Sequence, residues 1–356
     1  MGQQFSQFFP PAPAFTETSL PNLSGKVFIV TGASAGIGKE LSRLLYTRNA
    51  TVYLGARSAE KAHAAISWIK EACPESKGNL QYLHLDLDDL SGIKASAESF
   101  LAKESRLDVL FNNAGVMVPP AGSTTKQGYE LQLGTNCVAP FLFTKLLTPV
   151  LLETAKKVAK GSVRVIWVSS IASQMSAPPG GVDMSNLEYT KNVNNWTKYG
   201  MSKGGNVFHA LEYQRKYGGE GIVSLVRSSF QVFFCSFPLS SRSSLSIAVP
   251  GVSLHRSTNE NLLQALNPGN LKSELARNMN PVRHACLMWL LYPAVNGAYT
   301  ELFAGLAPEA AKLKEGEWVI PWGRVGTLKK DYWSEAGNKT ARAFWEWSEK
   351  QVEQYA

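Results

Sequence analysis

Residues 31–38 read Thr31-Gly32-Ala33-Ser34-Ala35-Gly36-Ile37-Gly38, and this octet limits the folds open to the chain more than any other stretch. It follows the β-branched run Val27-Phe28-Ile29-Val30 and precedes apolar residues at helical spacing between positions 39 and 48. Strand, glycine turn and helix in that order let the backbone approach a pyrophosphate, whose charge then lies at a helix N-terminus among free N–H groups. A glycine-rich turn by itself is weakly specific; here the flanking strand and helix give it weight.

The alternation continues. Strand patterns at 51–55, 80–85, 107–111 and 163–168 are separated by helical patterns at 60–73, near 91–104 and at about 129–154. Such spacing predicts an α/β fold, a doubly wound parallel sheet covered on both faces. With 356 residues, 44% of them apolar, one large core can be buried. We expect a single domain over residues 23–356, preceded by an extended Pro-, Phe- and Ser-rich arm at 1–22.

The formal charge of +8 permits an anionic ligand. The basic residues are scattered without a run of five, which argues against nucleic acid as a partner. Cys73, Cys137, Cys235 and Cys286 form no Cys-x-x-Cys pair, so we expect reduced thiols and a cytoplasmic chain. The five histidines lack ligand spacing, and no metal site is expected. Met1-Gly2-Gln3-Gln4-Phe5-Ser6 fits the N-myristoylation pattern at Gly2. With no Lys, Arg or Cys in residues 1–25, lipidation there would give marginal membrane association at most.

Dinucleotide folds that prefer NAD place a carboxylate after the second strand to hold the ribose diol. Here the stretch is Gly55-Ala56-Arg57-Ser58, with Lys61 close behind. Together with Ser34 in the turn, the Arg57 guanidinium suits a 2′-phosphate, which favours NADP(H).

The order of these and later motifs resembles the short-chain dehydrogenase/reductase family, a Rossmann-fold family. Residues Gly32, Ser34, Gly36, Ile37 and Gly38 match its cofactor turn, and Asp86 its adenine contact. Asn112-Asn113-Ala114-Gly115 matches its fourth-strand motif, and Pro268-Gly269 its turn beside the nicotinamide. The resemblance further implies a catalytic set of Asn136, Ser170, Tyr199 and Lys203, the last two also touching the cofactor. Ala139 departs from the family by replacing a glycine three residues after Asn136. A homodimer is implied by family analogy alone.

The chemistry requires such groups. Reducing a carbonyl delivers hydride to carbon while a proton must reach oxygen. Tyr199 and Lys203 are four residues apart and share a helix face, so an ammonium can stabilise the phenolate. Ser170 would orient the substrate oxygen and Asn136 would complete a proton relay. The 28 residues between Ser170 and Tyr199 resemble the spacing in retinol dehydrogenase-like, NADP-dependent members, which implies a lipophilic alcohol or ketone. Trp289, Trp318, Trp322, Tyr292 and Phe303 are candidates to line an apolar site. Two other readings use the same residues: a catalytically impaired NADP-binding regulator, and an enone (C=C) reductase.

Residues 226–264 do not belong to this pattern. The strand Gly221-Ile222-Val223-Ser224-Leu225 should run into Ala265-Leu266-Asn267-Pro268, yet 39 residues intervene, ten of them Ser and none Lys or Asp. Val226 is encoded by GTN, Gln264 can be CAG, and Thr258-Asn259 can carry a branch-site sequence. We expect a non-native insertion, a translated intron, within the cofactor domain.

Overall fold

The computed structural model describes residues 6–7, 9–229, 270–271 and 291–356, with backbone alone at 226–229, 270–271 and 291. Glycine-turn topology continues from β1 (Val27–Thr31) through α1 (Gly36–Thr47), β2 (Thr51–Ala56), α2 (Ala59–Ala72), β3 (Asn79–His84), α3 (Ile93–Leu101) and β4 (Val109–Asn112). A one-turn helix, Leu131–Leu133, and a π-helical turn, Gly134–Val138, lead into α4 (Ala139–Ala155), so the long helix expected over 129–154 is interrupted near its start. Then follow β5 (Val163–Ser170), α5 (Asn195–Tyr217), β6 (Ile222–Ser229), β7 (Asn270–Leu271), β8 (Leu291–Tyr292), α6 (Ala294–Leu306), β9 (Glu317–Ile320), β10 (Arg324–Thr327) and α7 (Glu335–Val352).

Among the described residues, eight strands form one sheet in the order β10-β9-β6-β5-β4-β1-β2-β3. Its described pairings are parallel, and the β9–β10 hairpin is antiparallel. Strand order reverses between β1 and β4, and crevices outside the strand C-termini at such a switch are where these sheets bind nucleotides.

Period-two alternation splits the core between the two faces. Ile29, Val165 and Trp167 pack with Phe141 of α4 and Phe208 of α5, whereas Phe28, Val30 and Ile166 pack with Leu41 of α1 and Leu302 of α6. Helix ends are fixed locally: Asn194 accepts from the Thr197 N–H at 2.9 Å to start α5, and Ser334 accepts from Gly337 at 3.2 Å to start α7. The helical region Leu131–Ala155 is long and apolar enough to cross a membrane, but 78% of its most apolar window is buried inside the fold, as befits a core helix.

The arm is docked on the domain. Leu20 is buried, Arg48 donates to the carbonyls of Leu20 and Pro21, and Phe15 meets Phe303 edge to face at 5.8 Å. A single 3₁₀ turn, Glu17–Ser19, precedes Leu20. Gly2 lies outside them, as do Cys235, Cys286, Trp289, Pro268 and Gly269. The expected interruption also lies outside them from residue 230 onward; its first four residues continue the backbone of β6.

Candidate active site

The glycine turn is held by β4. Thr31 Oγ1 donates to the Phe111 carbonyl (3.3 Å) and accepts from the Ala114 N–H (2.9 Å), while the Asn113 side-chain amide donates to the Thr31 carbonyl at 2.7 Å. Gly32 has φ +68°, and a Cβ there would stand 2.9 Å from Ala114 Cα; one on Gly38 would be 2.7 Å from Asn113 Nδ2 and from the Gly32 carbonyl. Side chains at either position would force the turn open. Ala35, the N-cap of α1, provides no side-chain acceptor, so the helix presents its first N–H groups to the turn.

Arg57 and Lys61 lie exposed just past β2, where Ser58 caps α2 by accepting from Lys61 N at 3.2 Å. Asp86 Oδ1 accepts from the Asp88 N–H at 3.1 Å. Burial, then repulsion from Asp86, raises the Asp88 carboxyl pKa, against an opposing pull from Arg57. Asn112 goes elsewhere: its amide donates to Thr144 Oγ1 of α4 at 2.9 Å, inside the core.

The four residues expected to be catalytic come from three elements at the C-terminal side of the sheet. The π-helical turn points the Asn136 amide at the Val116 carbonyl (3.0 Å) and Ser202 Oγ (3.0 Å), and its Oδ1 accepts from Val116 N–H at 2.8 Å. Lys203 Nζ donates to the Val168 carbonyl at 2.9 Å, beside Asn206, which donates to the same oxygen at 3.0 Å. Lys203 Nζ lies 5.8 Å from the Tyr199 ring centroid. Gly115 joins the two groups, because a Cβ there would stand 3.1 Å from Asn136 Oδ1 and 3.2 Å from Lys203 Nζ. Ser170, fully buried at the end of β5, accepts from the Ala172 N–H at 3.2 Å. Ala172 in turn packs with Met117 against Tyr199, itself 1% exposed.

Sequence reasoning missed the apolar surroundings of Tyr199. Met117, Val118 and Trp196 gather there, with Trp196 edge to face on Tyr199 at 6.3 Å. One turn of helix separates Trp196 from Tyr199, a spacing that could have drawn attention to it. Val118 has φ +43°, strained for a β-branched residue. Gln132 holds it there, accepting from Val118 N at 2.8 Å while donating to the Asn195 carbonyl at 3.2 Å. Among the described residues, four of the aromatics expected to line the site have other packing partners. Trp318 is fully buried in one core face, Trp322 packs on Tyr292 at 5.3 Å, and Phe303 meets the arm. Beside the site, Cys137 Sγ donates to the Ser202 carbonyl, and burial pushes its thiol pKa up, away from reactivity.

A family model described as short chain dehydrogenase matches residues 26–226. A short-chain dehydrogenase/reductase of Phomopsis amygdali is 47% identical over 362 residues, covering 99% of this chain and 96% of its own length. Another from Emericella nidulans is 45% identical over 346 residues, covering 96% and 97%. Among solved structures, an uncharacterised protein from Mycobacterium paratuberculosis superposes with a TM-score of 0.63 at 23% identity, covering 95% of this chain and 97% of that one.

Proposed function

We propose that this chain, which belongs to the short-chain dehydrogenase/reductase family, is an NADP(H)-dependent oxidoreductase that interconverts lipophilic alcohols and ketones in the cytoplasm. The observation that carries this reading is the meeting of Asn136 and Lys203 at Gly115, next to the glycine turn, with the Tyr199 ring 5.8 Å from Lys203 Nζ.

The residues present fit a dinucleotide. The turn has no room for side chains at Gly32 or Gly38, and α1 begins without a side-chain cap. Gly32, Ser34, Gly36, Ile37 and Gly38 would hold the pyrophosphate half and Asp86 the adenine. Asn113, Ala114, Gly115, Tyr199 and Lys203 would hold the nicotinamide half. Arg57 and Lys61, with no carboxylate between residues 55 and 58, favour a 2′-phosphate over a bare ribose diol.

When bound, the nicotinamide supplies or accepts the hydride. The chain's own groups manage the proton. In the reducing direction the Tyr199 hydroxyl donates to the substrate oxygen as negative charge grows there, and Ser170 Oγ orients that oxygen. The Lys203 ammonium, fixed by the Val168 carbonyl, stabilises the phenolate left behind. Asn136, anchored at Val116 and Ser202, links that ammonium to solvent through water. Met117, Val118 and Trp196 offer an apolar wall to the substrate and exclude water from the reacting oxygen.

Tyr199→Phe is the direct test. Turnover of NADPH with a panel of lipophilic ketones should fall at least about 100-fold, with NADPH binding retained. Turnover near the wild-type rate would remove Tyr199 from the acid/base role.

A further inference from the structure

The register of β6 bears on residues 226–264. All eight of its positions pair with β5, from Val163↔Ile222 to Ser170↔Ser229. The last four positions are therefore set beside Trp167, Val168, Ser169 and Ser170, all buried. Position 227 is also paired with Val319 of β9 on its other side. By the two-residue period of a strand it belongs to the face of Leu225, which shares an apolar cluster with Ile166 and Val319. The full chain assigns an arginine to that central, apolar register position. A guanidinium is costly to bury at such a position.

Joining Leu225 directly to Ala265 fills the same four positions with Ala265, Leu266, Asn267 and Pro268. Leucine then takes the position between Val168 and Val319. Proline, which has no N–H to donate, takes the last one, level with Ser170, where the ladder ends. One residue, Gly269, then separates β6 from β7, in place of the forty residues 230–269.

We propose that the working enzyme is the chain in which Leu225 is followed by Ala265, and that residues 226–264 are a retained intervening sequence that weakens the cofactor site. The consequence for the site rests on the NADP(H) reading above; the register argument does not.

Two measurements test it. Sequencing messages from the source organism across codons 225–265 should reveal transcripts joining the Leu225 and Ala265 codons; uniform retention of the segment overturns the proposal. In parallel, the full chain is compared with a chain lacking 226–264 and one lacking 227–264. The last keeps Val226, shifts Leu266 by one position and turns it to the opposite face. The 226–264 deletion should melt higher than both others and bind NADPH at least tenfold tighter than the full chain. Equal gains from both deletions, or no gain from the first, overturn it. A deletion that melts higher yet binds neither NADPH nor NADH upholds the junction and refutes the cofactor reading.

Discussion

Arg57 stands exposed where β2 ends, close enough to Asp88 to pull on its carboxyl. Because no other group after β2 distinguishes a phosphate from a diol as sharply, Arg57→Asp should shift the NADPH-to-NADH preference toward NADH by at least tenfold, read as the ratio of kcat/KM values. An unchanged ratio would remove this residue from recognition. His209 makes a different prediction. It lies on α5, buried against α4, α7 and β5, bonded through Nε2 to Ser348 Oγ at 2.9 Å, and burial lowers its pKa from 6.5 to about 3. The unfolded chain takes up this proton near pH 6.5, the folded chain only near 3. The stability due to the neutral imidazole is thus complete above pH 6.5 and is lost as pH falls toward 3, by up to about 1.4 kcal/mol per pH unit. His209→Gln should flatten urea-unfolding stability across that window; an equally steep fall would contradict the assignment. Tyr199 and Lys203 stood out by their four-residue spacing and the turn glycines by the flanking strand and helix, whereas Asn136 was implied by the family resemblance alone. Met117, Val118 and Trp196 were not legible, since two segments far apart in sequence bring them together. Nor could sequence show that Asn112 turns into the core to meet Thr144.

Among the elements, the strand-helix alternation through β5 was readable from periodicity, with boundaries within a few residues. The π-helical turn before α4 was not, because nothing in apolar spacing distinguishes it from ordinary helix; it is nevertheless what aims Asn136 at Val116. The β9–β10 hairpin was also missed. It forms around Gly323 at φ +77°, and its pairing onto β6 depends on a strand nearly ninety residues earlier in the chain. Helix α7 closes the outer side of α4 and α5: Phe344 stacks on His209 at 4.9 Å, and Trp345 meets Phe141 at 4.8 Å. A Cβ on Gly205 would stand 2.8 Å from the Phe344 ring, so the two helices are in close contact. This helix of the same chain therefore occupies the outer α4–α5 surface. Phe344→Ala should destabilise the fold by about 3–5 kcal/mol, measured by urea unfolding. A loss below about 1 kcal/mol would mean that α7 contributes little to the core.

Across the whole molecule, the sheet, the docked arm and α7 form one layered body whose switch point between β1 and β4 places the glycine turn beside Gly115 and the Tyr199–Lys203 helix. The arm's docking through Leu20, Phe15 and Arg48 follows from contacts with residues distant in sequence, which composition does not reveal. The central claim is that this arrangement is an NADP(H) site serving Tyr199. It is tested most directly by titrating NADPH and NADH against nicotinamide fluorescence, with the full chain and with the chain joined at Leu225–Ala265. The account predicts NADPH binding at least tenfold tighter than NADH in the joined chain, with the same preference wherever the full chain binds. Tighter binding of NADH, or no binding of either dinucleotide by both chains, would contradict it.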